Sequence, residues 1–354
     1  MNGETLQDWG EFRLINEIVL PILSSTSLSA PLGSDCAYVP IPKNSDSLVV
    51  TCDAGPKPLA WDLDYKSFWS WGWYSVIINA SDLAAAGAKP LAFTSSVEAP
   101  ASMPVQDFRD FFEGISNACQ ELDIPNAGGN IRAAPRFECH GTAIGTIQGG
   151  NLLTRSNCKP GDSIVVIGEC GRFIAAYLKA KEEGIDSLPE EDWKRIVRPW
   201  PRLREMSILQ KSDFINASTD NSDGILGALW NIAERSNCAI EVDMNDEFLP
   251  APVCSAADMI KTDPWNLMFF WGDWQVVIAV AKDALVQFKT IAAKEEIQYS
   301  VIGRATEESS ALYGNHAGKR KRLNLLRNEN FISLSFNSNL QDHLKSMLYA
   351  PLFV

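Results

Sequence analysis

SWGWYSVIINASDLAAAGAKP, residues 70–90, is helical in pattern and rich in small residues, and it closes at Gly87 before Lys89-Pro90. Ahead of it, Ser47–Cys52 (SLVVTC) reads as a short β-branched strand that delivers Asp53. Behind it, Leu91–Val97 reads as a strand, and Pro104–Leu122 as an amphipathic helix with Val105, Phe108, Phe112, Ile115 and Cys119 along one stripe. Gly128-Gly129 is expected to break the chain, and His140–Ile147 (HGTAIGTI) to form another strand. Strands alternating with long helices predict an α/β (α+β) layer fold and exclude a sandwich or a bundle.

The chain has 354 residues, which fits two domains. A boundary is expected in the polar stretch Gly149–Lys159, before a Lys159-Pro160-Gly161-Asp162 turn and the strand Ser163–Gly168. That gives an N-terminal domain 1–150, a C-terminal α/β domain 151–330 and a tail 331–354 whose apolar end, Leu348–Val354, should dock. Each half offers a strand carrying Asp to a turn, then a helix, then a strand. At the start, Leu6, Trp9, Phe12, Ile15 and Val19 predict a helix ended by Pro21. The one basic run, Lys319–Arg322 (KRKR), is read as a solvated turn.

Asp and Glu outnumber Lys and Arg by 44 to 31, a net charge of −13, so phosphate backbones and anionic lipid are poor partners. An acidic protein can still hold an anionic nucleotide when divalent metal lies between them. The eight cysteines form no CxxC pair, no apolar run approaches a membrane span, and the first residues lack a signal-peptide pattern. A soluble, cytoplasmic protein with free thiols is expected. The three histidines, His140, His316 and His343, fit no motif.

Four segments place aspartates among small or hydroxyl residues: Gly33-Ser34-Asp35-Cys36-Ala37, Thr51-Cys52-Asp53, Asn79-Ala80-Ser81-Asp82-Leu83 and Asp220-Asn221-Ser222-Asp223-Gly224. Each is expected where a strand or loop meets a turn or a helix start. Taken singly, each fits an N-cap or an Asx turn. Taken together they supply what a magnesium–phosphate site needs: carboxylates for the metal, hydroxyls and glycine N–H groups for phosphate oxygens.

In order and in flanks the segments resemble the thiamine-monophosphate kinases, of the superfamily that includes aminoimidazole ribonucleotide synthase and selenophosphate synthetase. The likeness spans roughly residues 10–305: GEF at 10–12, GSDCA at 33–37, the stretch 72–90, Gly128-Gly129, TAIG at 142–145, LLTRSNCKPGD at 152–162, RPWPR at 198–202, DNSDG at 220–224, GDW at 272–274 and IGR at 302–304. It implies a two-domain α/β chain whose N-terminal domains pair into a homodimer through a shared β-barrel, with Val49–Thr51 and Thr142–Ile147 among the strands. It also implies ATP bound through several Mg2+ ions, phosphoryl transfer to a small-molecule acceptor, and no nucleic-acid or membrane partner. Position by position, Asp35, Asp53, Asp82, Asp220 and Asp223 resemble the metal ligands, and Thr51 and Ser222 their polar partners. Gly129, Asn130 and Arg155 fall at nucleotide-contacting positions, and Asp273 at a substrate-side one. Asp223, Asp53 and Arg155 are the catalytic candidates.

This chain departs from that pattern in four places. Ser34 replaces one of two paired acids, Asn130 replaces an aspartate, no histidine follows Asp53, and Asp273 stands for a glutamate. The nucleotide end is better kept than the acceptor end. Trp61, Trp69, Trp71 and Trp73 surround the altered loop and Trp271 and Trp274 flank Asp273, either as core or as walls for a flat or cationic acceptor. The resemblance leaves three activities open: a kinase with a diverged acceptor, an ATP-dependent amide-activating synthase, or a non-catalytic nucleotide binder.

Overall fold

The structure, a computed structural model, describes Phe12, Asn16, Asp35 and residues 37–40, 47–332, 335–336 and 339–354. Apart from Phe12 and Asn16, the helix expected before Pro21 lies outside the described residues. The first sheet holds β1 (Ala37–Pro40), β2 (Ser47–Ala54), β3 (Lys89–Ala99), β4 (Asn126–Ala133) and β5 (Glu138–Ile147), in the order β1-β2-β5-β3-β4. Neighbours are antiparallel except β3 and β4, whose parallel pairing uses the crossover helix between them. That helix is α2 (Val105–Glu121); α1 (Phe68–Ala85) packs on it and on β2 and β5. Ser67 starts α1 by accepting the Ser70 N–H at 3.1 Å. The two helices cross closely because glycines sit at the crossing. A Cβ on Gly72 would lie 1.9 Å from the Phe111 carbonyl oxygen, and one on Gly114 2.0 Å from that of Trp69.

The second sheet holds β6 (Ser163–Ile167), β7 (Ile215–Asp220), β8 (Ala239–Asp243), β9 (Val276–Val280), β10 (Tyr299–Thr306), β11 (Ala311–His316) and β12 (Lys319–Arg322), in the order β12-β11-β8-β10-β6-β9-β7. Its helices are α3 (Arg172–Glu183), α4 (Glu190–Val197), α5 (Leu203–Leu209), α6 (Ile225–Ser236), α7 (Ala251–Ile260), α8 (Pro264–Met268), α9 (Leu285–Lys294) and α10 (Leu340–Tyr349). Both faces of this sheet are covered. Ile164, Val166, Val277 and Ala279 enter one core with α3, α6 and α7. Val165, Ile167, Val276, Ile278 and Val280 enter the other, with Trp73, Val76, Ile77 and Leu83 of α1. Alternate residues thus feed different cores, which is why β6 and β9 are apolar throughout. It also makes α1 a shared wall, packed on β2 and β5 and on β7 and β9.

Three local expectations need correction. Gly128-Gly129 does not break the chain; both glycines lie within β4, where Gly129 pairs with Ser95. KRKR is not a turn but the exposed edge strand β12, with Arg320 over the Tyr313 ring and paired with Glu308. Asp53 and Asp82 do not sit at element starts: Asp53 is inside β2, and Asp82 lies in the last turn of α1. Residues 148–162, between the sheets, carry neither helix nor strand. The tail docks through Leu344, Met347 and Leu348, and the Asn266 side-chain amide donates to the Leu348 carbonyl at 2.9 Å.

Candidate active site

A cleft of about 480 Å³ opens where β2, the C-terminal half of α1, the turn after β7 and residues 271–274 meet. Asp35, Thr51, Asp53, Asp82, Arg155, Asp220, Ser222 and Asp223 all line it. Carboxylate oxygens of Asp35, Asp82 and Asp220 lie within 4.8 Å of one another. Folding alone gives no reason for this. A strand interior disfavours Asp53, and the negative end of a helix dipole disfavours Asp82. Nor are these residues helix caps: Ser67 caps α1, and at α6 the N-cap residue is Gly224, with no side-chain cap.

Hydroxyls and backbone amides knit the acids together. Thr51 Oγ1 donates to Asp82 Oδ2 at 2.5 Å, Ser81 Oγ to Asp220 Oδ2 at 3.5 Å, and Ser222 Oγ to Asp220 Oδ1 at 3.2 Å. The Asp53 N–H is held by Asn79 Oδ1 at 3.2 Å. Burial, and then the charges of Asp53, Asp220 and Asp35, push the Asp82 pKa well above its ordinary value. Burial and the Asp35 charge do the same to Asp220, and burial raises Asp53. Burial would raise Asp35 too, but the charge of Arg155 and hydrogen bonds from Arg155 and Asp220 bring it below 3.8. Burial works against the Arg155 charge, yet the neighbouring acids more than offset it and raise its pKa. The donor set is oxygen only, which fits a hard cation such as Mg2+ rather than a thiophilic one.

Two sets of expected site residues lie elsewhere. Gly129 and Asn130 are exposed on β4, separated from β2 by β5 and β3, about 14 Å at ordinary strand spacing. Within one chain they do not reach the cleft. Asp273 is buried and lines a neighbouring cavity, with Arg195, Arg198 and Arg202, rather than this cleft; its Oδ1 accepts the Phe173 N–H at 2.7 Å, in the first turn of α3. It is a helix-terminus partner, while Gly272 and Trp274 on either side of it line the cleft. Trp61, Trp69, Trp71 and Trp73 are packing residues. The Trp73 indole is fully buried and donates to the Pro199 carbonyl at 2.9 Å, and Trp71 donates to Gly55 at 2.7 Å. Trp271 and Trp274 do wall the cleft, with Tyr74 and Phe336. None of the three histidines lines it.

Sequence reasoning missed Tyr74, Asn328, Asn330 and Phe336. The tail segment reaches the cleft because the Asn328 N–H donates to the Asp223 carbonyl at 3.0 Å and the Phe336 ring packs edge-on to Trp271 at 5.4 Å. Nothing in the spacing of those residues signals it.

Residues 33–147 match the family described as AIR synthase related protein, N-terminal domain, and residues 159–314 match its C-terminal domain. Thiamine-monophosphate kinase of Pyrococcus horikoshii is 31% identical over 302 residues, covering 83% of this chain and 89% of that protein. The thiamine-monophosphate kinase of Corynebacterium glutamicum is 28% identical over 300 residues, covering 82% and 87%. A solved structure of AaThiL complexed with AMPPCP and TMP superposes with a TM-score of 0.76 at 24% identity, covering 92% of this chain and 99% of that one. At that identity the superposition speaks to the fold, which is the same two-domain arrangement. With both domains matched in order and a relative this similar over most of its length, the chain belongs to the AIR synthase related family, beside the thiamine-monophosphate kinases.

Proposed function

We propose that this protein is an ATP- and Mg2+-dependent phosphotransferase that acts on a small-molecule acceptor other than thiamine monophosphate. The observation that carries the reading is the approach of the Asp35, Asp82 and Asp220 carboxylates to within 4.8 Å in one cleft. Three acids so close repel one another unless protons or cations intervene. Asp35, Asp53, Asp82, Asp220 and Asp223 would hold Mg2+, which would neutralise phosphate oxygens when bound. Arg155 and the Ser222 and Thr51 hydroxyls supply further charge and hydrogen bonds on the phosphate side. Trp271, Trp274, Tyr74 and Phe336 form an apolar wall that would exclude water and align a flat acceptor.

The kinase relatives support phosphoryl transfer, and two features favour a different acceptor. No histidine follows Asp53 in the loop that brings Pro56 to the cleft, and Asn328, Asn330 and Phe336 lie beyond residue 314, where the family match ends. A homodimer fits the half-buried Leu48, Val50 and Ile144 of β2 and β5, and the exposed Leu91 and Ile131 of β3 and β4. It is also the arrangement that would bring Gly129 and Asn130 of one copy near another copy's cleft. Product analysis with ATP, Mg2+ and candidate acceptors tests the proposal. ADP with a phosphorylated acceptor is expected; ADP with free phosphate and a new amidine would indicate amide activation, and no turnover with any acceptor would overturn the proposal.

A further inference from the structure

Arg155 stands in the linker between the sheets, yet its guanidinium is firmly held. Its Nη2 donates to Asp35 Oδ1 at 2.7 Å and its Nε to Thr219 Oγ1 at 3.1 Å, and its own carbonyl accepts from Ser236 Oγ at 3.3 Å. The same Asp35 oxygen also accepts from Thr219 Oγ1 at 3.2 Å and from the Asp220 N–H at 3.4 Å. Asp35 is one of the three clustered acids, and its side chain is only 4% exposed. A carboxylate oxygen saturated by three donors, one of them a full positive charge, is a poor ligand for a second cation.

We infer that Arg155 is a tethered cation that fills one position of the acidic cluster, so that a metal ion can take the Oδ1 atom of Asp35 only by displacing it. Metal held by Asp35 Oδ1 would take the place of the Arg155 contact, and the freed planar five-donor fork at the wall of the cleft would be available to phosphate oxygens. Metal loading and release of the arginine are then one event. The inference rests on reading the cluster as a metal site, and it predicts a sign opposite to that of an ordinary phosphate-contacting arginine. Removing Arg155 should tighten metal binding in the absence of nucleotide. A unit charge about 6 Å from a divalent ion changes its affinity about tenfold even with water-like screening, and by more in a buried site.

The test is Mn2+ binding to the full chain without nucleotide, followed by electron paramagnetic resonance, for the unaltered protein, Arg155→Met, Arg155→Lys, and Arg155→Met combined with Asp35→Asn. Arg155→Met should bind Mn2+ at least tenfold tighter or take one more ion per chain. Arg155→Lys, which keeps the positive charge, should stay within about threefold of the unaltered protein, and Asp35→Asn should cancel the gain. Unchanged or weaker Mn2+ binding by Arg155→Met overturns the inference. Should that variant fail to fold, phenylglyoxal labelling of the unaltered protein decides. Mn2+ should increase modification at Arg155 several-fold, and a constant or reduced yield overturns it. If Mn2+ binds no form of the chain, with or without ATP, the metal-site reading itself fails; normal Mn2+–ATP binding with no effect of Arg155→Met removes only the tethered-cation role.

Discussion

Asp273 is where sequence and structure assign different work to one side chain, and replacing it separates them. Its Oδ1 accepts the Phe173 N–H at 2.7 Å, while its Oδ2 is buried without a hydrogen-bond partner among the described residues. Burial raises its pKa from 3.8 to about 6, with Arg195 and Arg202 pulling the other way. A carboxylate whose folded pKa lies above its unfolded value stabilises the protein while protonated and loses that contribution as pH rises through the folded pKa. The whole gap from 3.8 to about 6 corresponds to about 3 kcal/mol, of which about 1.4 kcal/mol falls between pH 5 and pH 7.5. Asp273→Asn keeps the oxygen that holds α3 but cannot ionise, so its stability should lack that decline. Asp273→Ala also loses the helix-terminus bond, about 1–2 kcal/mol, and should be less stable than Asp273→Asn at every pH. Urea unfolding at pH 5, 6 and 7.5 measures both effects, beside KM for the acceptor. If the three proteins show the same pH slope and the variants instead lose acceptor affinity at unchanged stability, Asp273 faces the substrate and its placement beside α3 is wrong.

Other outcomes follow from the cleft. Asp223→Ala and Asp82→Asn should each abolish turnover while the fold persists. Asp82→Asn should melt higher than the unaltered protein at neutral pH, because it removes a buried carboxyl whose ionisation burial and the neighbouring acids oppose; a lower melting temperature would count against the like-charge cluster. Thiamine monophosphate should be a poor acceptor even at saturating ATP and Mg2+. One lost charged contact in an enclosed site costs ~2–4 kcal/mol, roughly 30- to 1000-fold, and turnover near about one per second would contradict the divergence. On the proposed pairing, sedimentation at micromolar concentration should give a dimer that covers the exposed Leu91 and Ile131; a monomer would count against it.

The two-domain α/β order was legible because α2, β2 and β5 carry their periodicity in plain view, because α1 is a long run of small and apolar residues buried nearly all round, and because β6 and β9 are apolar throughout. The acidic cleft was legible as chemistry: aspartates that singly fit caps or turns, taken together beside small and hydroxyl residues, supply the oxygens of a metal–phosphate site. Its exact membership was not. In Gly272-Asp273-Trp274, the two flanking residues line the acidic cleft and Asp273 lines only the neighbouring cavity, so likeness of motif cannot tell which of them meets the cleft. The double glycine reads locally as a breaker, but β4 accommodates it, with Gly129 packed so closely on β3 that a Cβ would lie 1.8 Å from the Ser95 carbonyl oxygen. Phe336 and Asn328 reach the cleft through a tail that passes over the Asp223 turn, a contact between residues about a hundred positions apart. Such contacts leave no periodic mark.

The central claim is that divalent metal joins an acidic cleft to an anionic nucleotide. Titration calorimetry of ATP into the unaltered protein, with Mg2+ and then with chelator, tests it most directly. Saturable binding with Mg2+ and none with chelator is the predicted result; binding of equal strength in both would contradict it.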